Sequence, residues 1–224
     1  MVVCAPVIRI EPPRSYRSLD RALRRLEKYD WVVFTSQNAV KSFFTRAKTL
    51  RIAAALGPSA RSAAVGRKTA AALQAFGWKA ATVPSESTGL ALAKAIPVRR
   101  GDRVLIPRAA KAGSELPLIL RRRGAIVELV EAYRTVADPR GAARVRALSD
   151  AGRLRAVTFT SASTAEHLRR GLGASRFRKV FAAAVAFSIG PVTTAALKSF
   201  GVPAVQARAA SDEALAAAVL ARLR

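Results

Sequence analysis

The chain repeats itself. Trp31-Val-Val-Phe-Thr-Ser-Gln-Asn-Ala-Val40 is echoed by Ala156-Val-Thr-Phe-Thr-Ser-Ala-Ser-Thr-Ala165, with Phe34 and Phe159 separated by 125 positions. Val65-Gly-Arg-Lys-Thr-Ala-Ala-Ala-Leu73 is echoed by Ile189-Gly-Pro-Val-Thr-Thr-Ala-Ala-Leu197, and the pairs Gly66/Gly190, Thr69/Thr193 and Gly77/Gly201 each stand 124 positions apart. Landmarks in so constant a register mark an internal duplication, which confines the fold to two copies of one supersecondary arrangement.

Each copy alternates strand and helix. Short β-branched or aromatic runs at Trp31 to Thr35 and Val157 to Thr160 enter Ser-containing turns and then helical stretches, and the pattern recurs at Ala63 to Val65 and Val185 to Ile189. Further strands are expected at Ala81 to Val83, Arg103 to Pro107, Ile126 to Thr135 and Val202 to Gln206, separated by helices rich in alanine and leucine. Alternation of this kind predicts parallel sheets flanked by helices, an α/β fold in two similar domains. Alanine supplies 48 of the 224 residues, so the core has fewer large apolar side chains than a 51% hydrophobic content implies.

Proline marks the linkers, at Glu11-Pro12-Pro13 and Ala137-Asp138-Pro139, where it blocks both a helix and a central strand. Laying Pro13 on Pro139 places Met1 opposite Val127, so the segment Asp102 to Ile126, with its strand and the helix Glu115 to Arg123, has no counterpart. We therefore expect about 25 residues, one strand and one helix, to be missing upstream of Met1. The opening strand, residues 2 to 10, then belongs with the C-terminal half. This gives a discontinuous first domain of residues 1–10 and 138–224, a second of 14–134, and two crossings side by side near 11–13 and 135–139. A ligand is expected between the domains, near the carboxyl ends of the strands.

Composition excludes several classes. Cys4 and His167 are the only Cys and His, too few for an internal disulfide or a Cys/His metal cluster. No apolar run reaches the roughly 18 residues needed to span a bilayer, and the opening Met-Val-Val-Cys-Ala-Pro lacks a secretory pattern. A cytoplasmic protein without metal is expected. The formal charge is +25, with 30 of the 39 basic residues arginine, in small groups such as Arg24-Arg25 and Arg121-Arg122-Arg123. Dispersed charge solvates exposed helix faces; it also suits a polyanionic partner, whether nucleic acid or a small polycarboxylate.

The usual catalytic constellations are absent: there is no Gly-x-Gly-x-x-Gly after a strand, no Gly-Lys-Ser/Thr loop and no Gly-x-Ser-x-Gly elbow. His167 falls in a helix and reads as a surface or packing residue. What remains is hydroxyls and amides at strand-to-helix turns: Thr35-Ser36 and Thr160-Ser161, and Gly66-x-x-Thr69 and Gly190-x-x-Thr193. Such residues cap helices and permit turns without any ligand; repeated in duplicate at one sheet edge, they also form an anion-binding rim. Tyr133, at the end of its strand and beside a crossing, is the ionisable side chain best placed for chemistry, though a strand tyrosine also serves as core packing.

Phe34-Thr-Ser-Gln-Asn-Ala-Val40, Val65-Gly-x-x-Thr-Ala-x-Ala-Leu73, Val104-Leu-Ile-Pro-Arg108 followed by Gly124-Ala125, Ala132-Tyr-Arg-Thr-Val136, Phe159-Thr-Ser161 and Ile189-Gly-Pro-Val-Thr193 together resemble the uroporphyrinogen-III synthase family in order and spacing, over essentially the whole chain. The resemblance implies two α/β domains joined by a two-stranded β-ladder, the first discontinuous. It implies cyclisation of hydroxymethylbilane, a linear tetrapyrrole with eight carboxylates, with loss of water and inversion of ring D, without cofactor or metal. It implies that Tyr133 assists departure of the hydroxyl, and that Thr35, Ser36, Gly66, Thr69, Ser85, Ser87, Arg108, Ser161, Gly190 and Thr193 bind substrate. The family pattern begins with a strand, an arginine-containing loop and a helix, the piece the duplication finds absent here. Thr194 stands where the family more often has alanine. A monomer acting on this small polycarboxylate is expected, with no membrane and no nucleic-acid partner. The competing readings are a polyanion or nucleic-acid binder exploiting the charge, and a ligand sensor derived from the same fold; the first lacks the aromatic interleaving of an RNA-stacking sheet.

Overall fold

The computed structural model describes residues 2–52, 60–110 and 113–223. It divides into two compact units, one of Ile10–Thr135 and the other of Met1–Arg9 with Val136–Arg224. The first half of the chain runs β1 (Ile8–Glu11), α1 (Arg17–Leu23), a single 3-10 turn (Leu26–Lys28), β2 (Trp31–Phe34), α2 (Gln37–Thr49), β3 (Arg61–Ala64), α3 (Arg67–Gln74), β4 (Ala80–Thr82), α4 (Gly89–Ala95), β5 (Arg103–Ala109), α5 (Glu115–Arg122) and β6 (Ile126–Ala137). These strands form one sheet in the order β1-β6-β5-β2-β3-β4, parallel from β6 to β4.

The sequence of β2 explains its central place. All four residues, Trp31 to Phe34, are buried, as a strand covered on both faces requires. Side chains alternate across the sheet. Val32 and Phe34 join Leu19 and Leu23 of α1, Phe43 of α2 and Leu73 of α3 in one core; Trp31 and Val33 join Leu92 of α4 and Leu116 and Leu120 of α5 in another. Fully burying one such side chain contributes about 1.5–3 kcal/mol. Phe34 meets Phe43 edge-on at 5.4 Å, and Trp78 meets Phe44 at 4.8 Å, the geometry that aromatic quadrupoles favour.

One irregularity positions the site. From Arg103↔Ile126 to Arg108↔Glu131 the pairing of β5 with β6 advances residue by residue, and then it jumps to Ala109↔Tyr133. Ala132 and Tyr133 thus share one opposing residue, a β-bulge of a kind uncommon between parallel strands. Strict alternation would send these neighbours to opposite faces, yet both are buried in the core that holds Phe34.

The second half runs α6 (Pro139–Asp150), β7 (Ala156–Phe159), α7 (Ala162–Leu172), α8 (Ala174–Ala183), β8 (Val185–Ser188), α9 (Pro191–Ser199), β9 (Ala204–Gln206) and α10 (Asp212–Leu223). Its sheet has the order β7-β8-β9, all parallel. Phe159, Leu168, Phe177 and Leu197 fill its main core, with Val7 among them. Phe187, Ala207 and Leu215 of α10 form a smaller cluster.

Three expectations need correction. The opening strand covers Ile8–Glu11 and not residues 2 to 10: Pro6 offers no N–H to a ladder, and its carbonyl instead lies against Gly141 of α6. Pro139 does not block a helix but starts one, at the first position of α6, with Asp138 capping it, because the N–H that proline lacks there has no helical partner in any case. The last strand begins at Ala204 rather than Val202, after Pro203, for the same want of a donor.

Candidate active site

In the unit Ile10–Thr135 the parallel strands end together, and each hands over to a helix through a turn whose chemistry is local. After β2, Ser36 adopts extended backbone and caps α2, its Oγ accepting the Ala39 N–H at 3.1 Å. After β3, Gly66 caps α3 without a side chain, its carbonyl accepting the amides of Thr69 and Ala70 at 3.0 Å each. Its backbone is extended and open to any residue, so glycine is needed here for space. A Cβ on Gly66 would fall well inside contact with Ser87 Oγ and 2.9 Å from Ser87 Cβ. After β4, Thr88 caps α4 by accepting the Ala91 N–H at 3.1 Å.

These turns open on a cavity of about 330 Å³. Thr35, Ser87 and Arg108 give it hydroxyls and a cation, Glu115 a carboxylate, and Val65, Ile106, Leu116 and Pro117 an apolar lining. An apolar wall with a few convergent polar groups is the lining of a small-molecule site. Tyr133 packs in the core on the other face of the sheet, with Phe34; it is 7% exposed and places its hydroxyl 3.0 Å from Ser36 Oγ. Its link to the cavity runs through the chain: Ser36 follows Thr35, and Ala109, its partner across the bulge, follows Arg108.

Of the residues singled out by sequence, Thr35, Ser87 and Arg108 meet in this cavity, Gly66 packs on Ser87, and Ser36 joins Tyr133. Thr69 is buried in the first turn of α3, and Ser85 is exposed in the loop after β4 without lining the cavity. Sequence reasoning passed over Gly89, Glu115 and Leu116. An acid in the first turn of a helix reads as compensation of the helix dipole, so nothing marked Glu115 as facing a cavity.

The other unit repeats the turn chemistry. Ser161 caps α7, accepting the Thr164 N–H at 3.3 Å, and lies 3.0 Å from Ser163 Oγ and 2.8 Å from Thr164 Oγ1. Gly190 caps α9 and Thr193 is buried. Thr194 Oγ1 sits 2.7 Å from both Ser188 Oγ and Gln206 Oε1 and 3.1 Å from the Gly190 carbonyl, so this threonine ties the ends of β8 and β9 to α9. His167 spends its Nδ1–H on the Ser163 carbonyl at 2.7 Å, a bond within its own helix. Tyr29, at the entry to β2, donates to Glu128 Oε2 at 2.5 Å; burial, and then the Glu128 carboxylate, push its pKa far up.

A family model described as uroporphyrinogen-III synthase HemD matches residues 1–217. The chain belongs to the uroporphyrinogen-III synthase family. This is a family of cyclising lyases in haem biosynthesis. The chain is 31% identical over 199 residues to the uroporphyrinogen-III synthase of Synechococcus elongatus, covering 86% of this chain and 75% of that protein. It is 32% identical over 208 residues to a putative uroporphyrinogen-III synthase of Methanothermobacter thermautotrophicus, covering 90% and 81%. Among solved structures, a mutant uroporphyrinogen III synthase of Thermus thermophilus superposes with a TM-score of 0.72 at 24% identity, covering 98% of this chain and 86% of that one. The Helicobacter pylori uroporphyrinogen-III synthetase gives 0.64 at 22%, covering 97% and 91%. At these identities the structures establish the synthase family's fold, a mixed α/β arrangement of largely parallel sheet flanked by helices. Among the described residues no helix is long and apolar enough to cross a membrane.

Proposed function

We propose that the chain closes hydroxymethylbilane to uroporphyrinogen III, with loss of water and inversion of ring D, and that the rim of the unit Ile10–Thr135 holds the reacting end of the bilane. In this reading β1 and β6 form the two-stranded ladder that joins the units. The observation that carries the site is the 3.0 Å contact between Ser36 Oγ and Tyr133 Oη. It fixes the phenol at the cap of α2, on the turn after β2 whose preceding residue, Thr35, lines the cavity.

The chemistry asks for little acid or base strength. Electron density from a pyrrole nitrogen expels the terminal hydroxyl: the C–O bond breaks, the oxygen takes the Tyr133 proton, and water leaves. The resulting azafulvene cation forms a C–C bond to ring D at the α-carbon that already carries the methylene from ring C. That older bond then breaks to leave an azafulvene cation on ring C, whose methylene bonds to the free α-carbon of ring D, and the ring is inverted. The proton released as the product regains aromaticity returns to the Tyr133 phenolate. In free solution the cation closes on the nearest carbon and gives the type I isomer. Holding both ends in the productive geometry is therefore the main catalytic contribution, together with exclusion of water by Val65, Ile106 and Leu116. Arg108 and the amides of the turns at Gly66 and Ser87 take the substrate carboxylates. A formal charge of +25 favours encounter with an octa-anion.

Freshly prepared hydroxymethylbilane is the decisive reagent: oxidation and separation of the product isomers should show type III, and type I alone at the spontaneous rate rejects the assignment. Removing the phenol proton in Tyr133→Phe should lower kcat by about 100-fold, the lower range for a positioned general acid, while the variant stays folded. An unchanged kcat removes Tyr133 from the reaction.

A further inference from the structure

We propose that Ser36 is a positioning residue whose hydroxyl donates to Tyr133 Oη, so that the proton of Tyr133 is kept free for the departing group. The inference deepens the reading of Tyr133 given above and rests on it.

A serine hydroxyl has one hydrogen and two lone pairs. One lone pair of Ser36 is committed, since its Oγ accepts the Ala39 N–H at 3.1 Å as the cap of α2. The hydrogen must then point elsewhere, and Tyr133 Oη lies 3.0 Å away. Geometry alone permits either oxygen to donate; the helix decides. Ser36 sits at the N-terminus of a 13-residue helix, where the potential is positive. That field turns the hydroxyl oxygen toward the helix and its hydrogen away from it, toward the phenol. Accepting an N–H also polarises the serine and makes it a better donor. A phenol that accepts at its oxygen keeps its own hydrogen unspent.

The alternative direction would be unproductive, because a tyrosine that donates to Ser36 has no proton to offer a leaving hydroxyl. The bulge at Ala132 and Tyr133 makes the pairing reachable, by bringing Tyr133 to the face of the sheet on which α2 packs. Ser36 thus links two tasks: it starts a helix and orients a proton.

The experiment separates these tasks with three substitutions, read by kcat and KM for type III formation and by thermal melting. Ser36→Gly keeps an acceptable cap residue but removes the donor; it should melt within a few degrees of the parent, with kcat lowered about tenfold and KM within twofold. Ser36→Asp keeps a strong cap acceptor but can only accept from Tyr133. It should melt at or above the parent temperature and lose at least as much kcat as Ser36→Gly. Ser36→Thr keeps both acceptor and O–H and should recover the turnover that glycine loses. In a Tyr133→Phe background Ser36→Gly should cost no further kcat, because both changes break the same bond.

Equal kcat for Ser36→Asp and the parent, or additive losses in the double variant, would overturn the relay while leaving Tyr133 in place. An unaltered kcat in Tyr133→Phe alone would instead overturn the underlying reading, and the relay with it.

Discussion

Gly66→Ala tests whether the cavity rim is set by one missing side chain. The added Cβ would overlap Ser87 Oγ and stand 2.9 Å from Ser87 Cβ and 3.7 Å from its Cα. Rotating the serine relieves the first contact but not the second. Carbon atoms sit about 3.5–4.0 Å apart at their optimum, so the Ser87 backbone must retreat by roughly 0.6 Å or more. Overpacking of this kind costs about 1–3 kcal/mol, which for a chain of this size lowers Tm by roughly 2–4 °C for each kcal/mol. Ser87 lines the cavity with Gly89, so the retreat also reshapes the wall that would hold the substrate. A misplacement near 1 Å can cost about 100-fold in rate, and a loss of about tenfold in kcat/KM is expected for this smaller shift. Steady-state formation of the type III isomer and a melting curve read both effects. The double variant Gly66→Ala/Ser87→Gly removes the clashing atoms and should recover the melting temperature even if some activity stays lost. Gly66→Ala with parental Tm and KM, or a double variant no more stable than the single one, refutes the reasoning.

Other parts of the molecule give independent expectations. Arg140 beside Asp138, through the hydrogen bonds of its side chain and backbone, holds the Asp138 carboxyl below its usual range, at about 2. A depressed folded-state pKa stabilises above the unfolded value near 4 and loses that contribution as pH falls toward 2. Parent protein should therefore lose Tm more steeply than Asp138→Asn between pH 4 and 2, and parallel curves would show the carboxylate to be idle. Arg46 makes two 2.7 Å bonds to the Asp20 carboxylate and stacks 4.0 Å above the Tyr16 ring. Lysine reproduces neither the fork nor the stacking. Arg46→Lys should cost about 1–2 kcal/mol by denaturant titration, with an unchanged midpoint as the contrary result.

How much of this was legible in advance follows from what each feature depends on. The alternation of strand and helix, the turns at Thr35-Ser36 and Gly66, and their echoes at Ser161 and Gly190 depend on neighbours within a few positions. Capping and periodicity are short-range physics, and the sequence displays them. Element ends were less legible: strands stopped one residue early at Phe34 and Phe159 because the residues that follow lead into helix caps. Pro139 read as a breaker although its local geometry makes it a starter.

What the chain could declare by itself was its duplication, its α/β alternation, its basic charge and the family motifs, all written in residue order. Three things waited for the fold: the bulge that turns Tyr133 onto the face of Ser36, the contact that leaves Gly66 no room for a side chain, and Glu115 on a cavity wall. Each depends on strand register or on packing between segments 20 to 100 residues apart. A one-residue slip in register exchanges the faces of a strand while leaving every local preference satisfied, and for that reason only the assembled sheet could decide them.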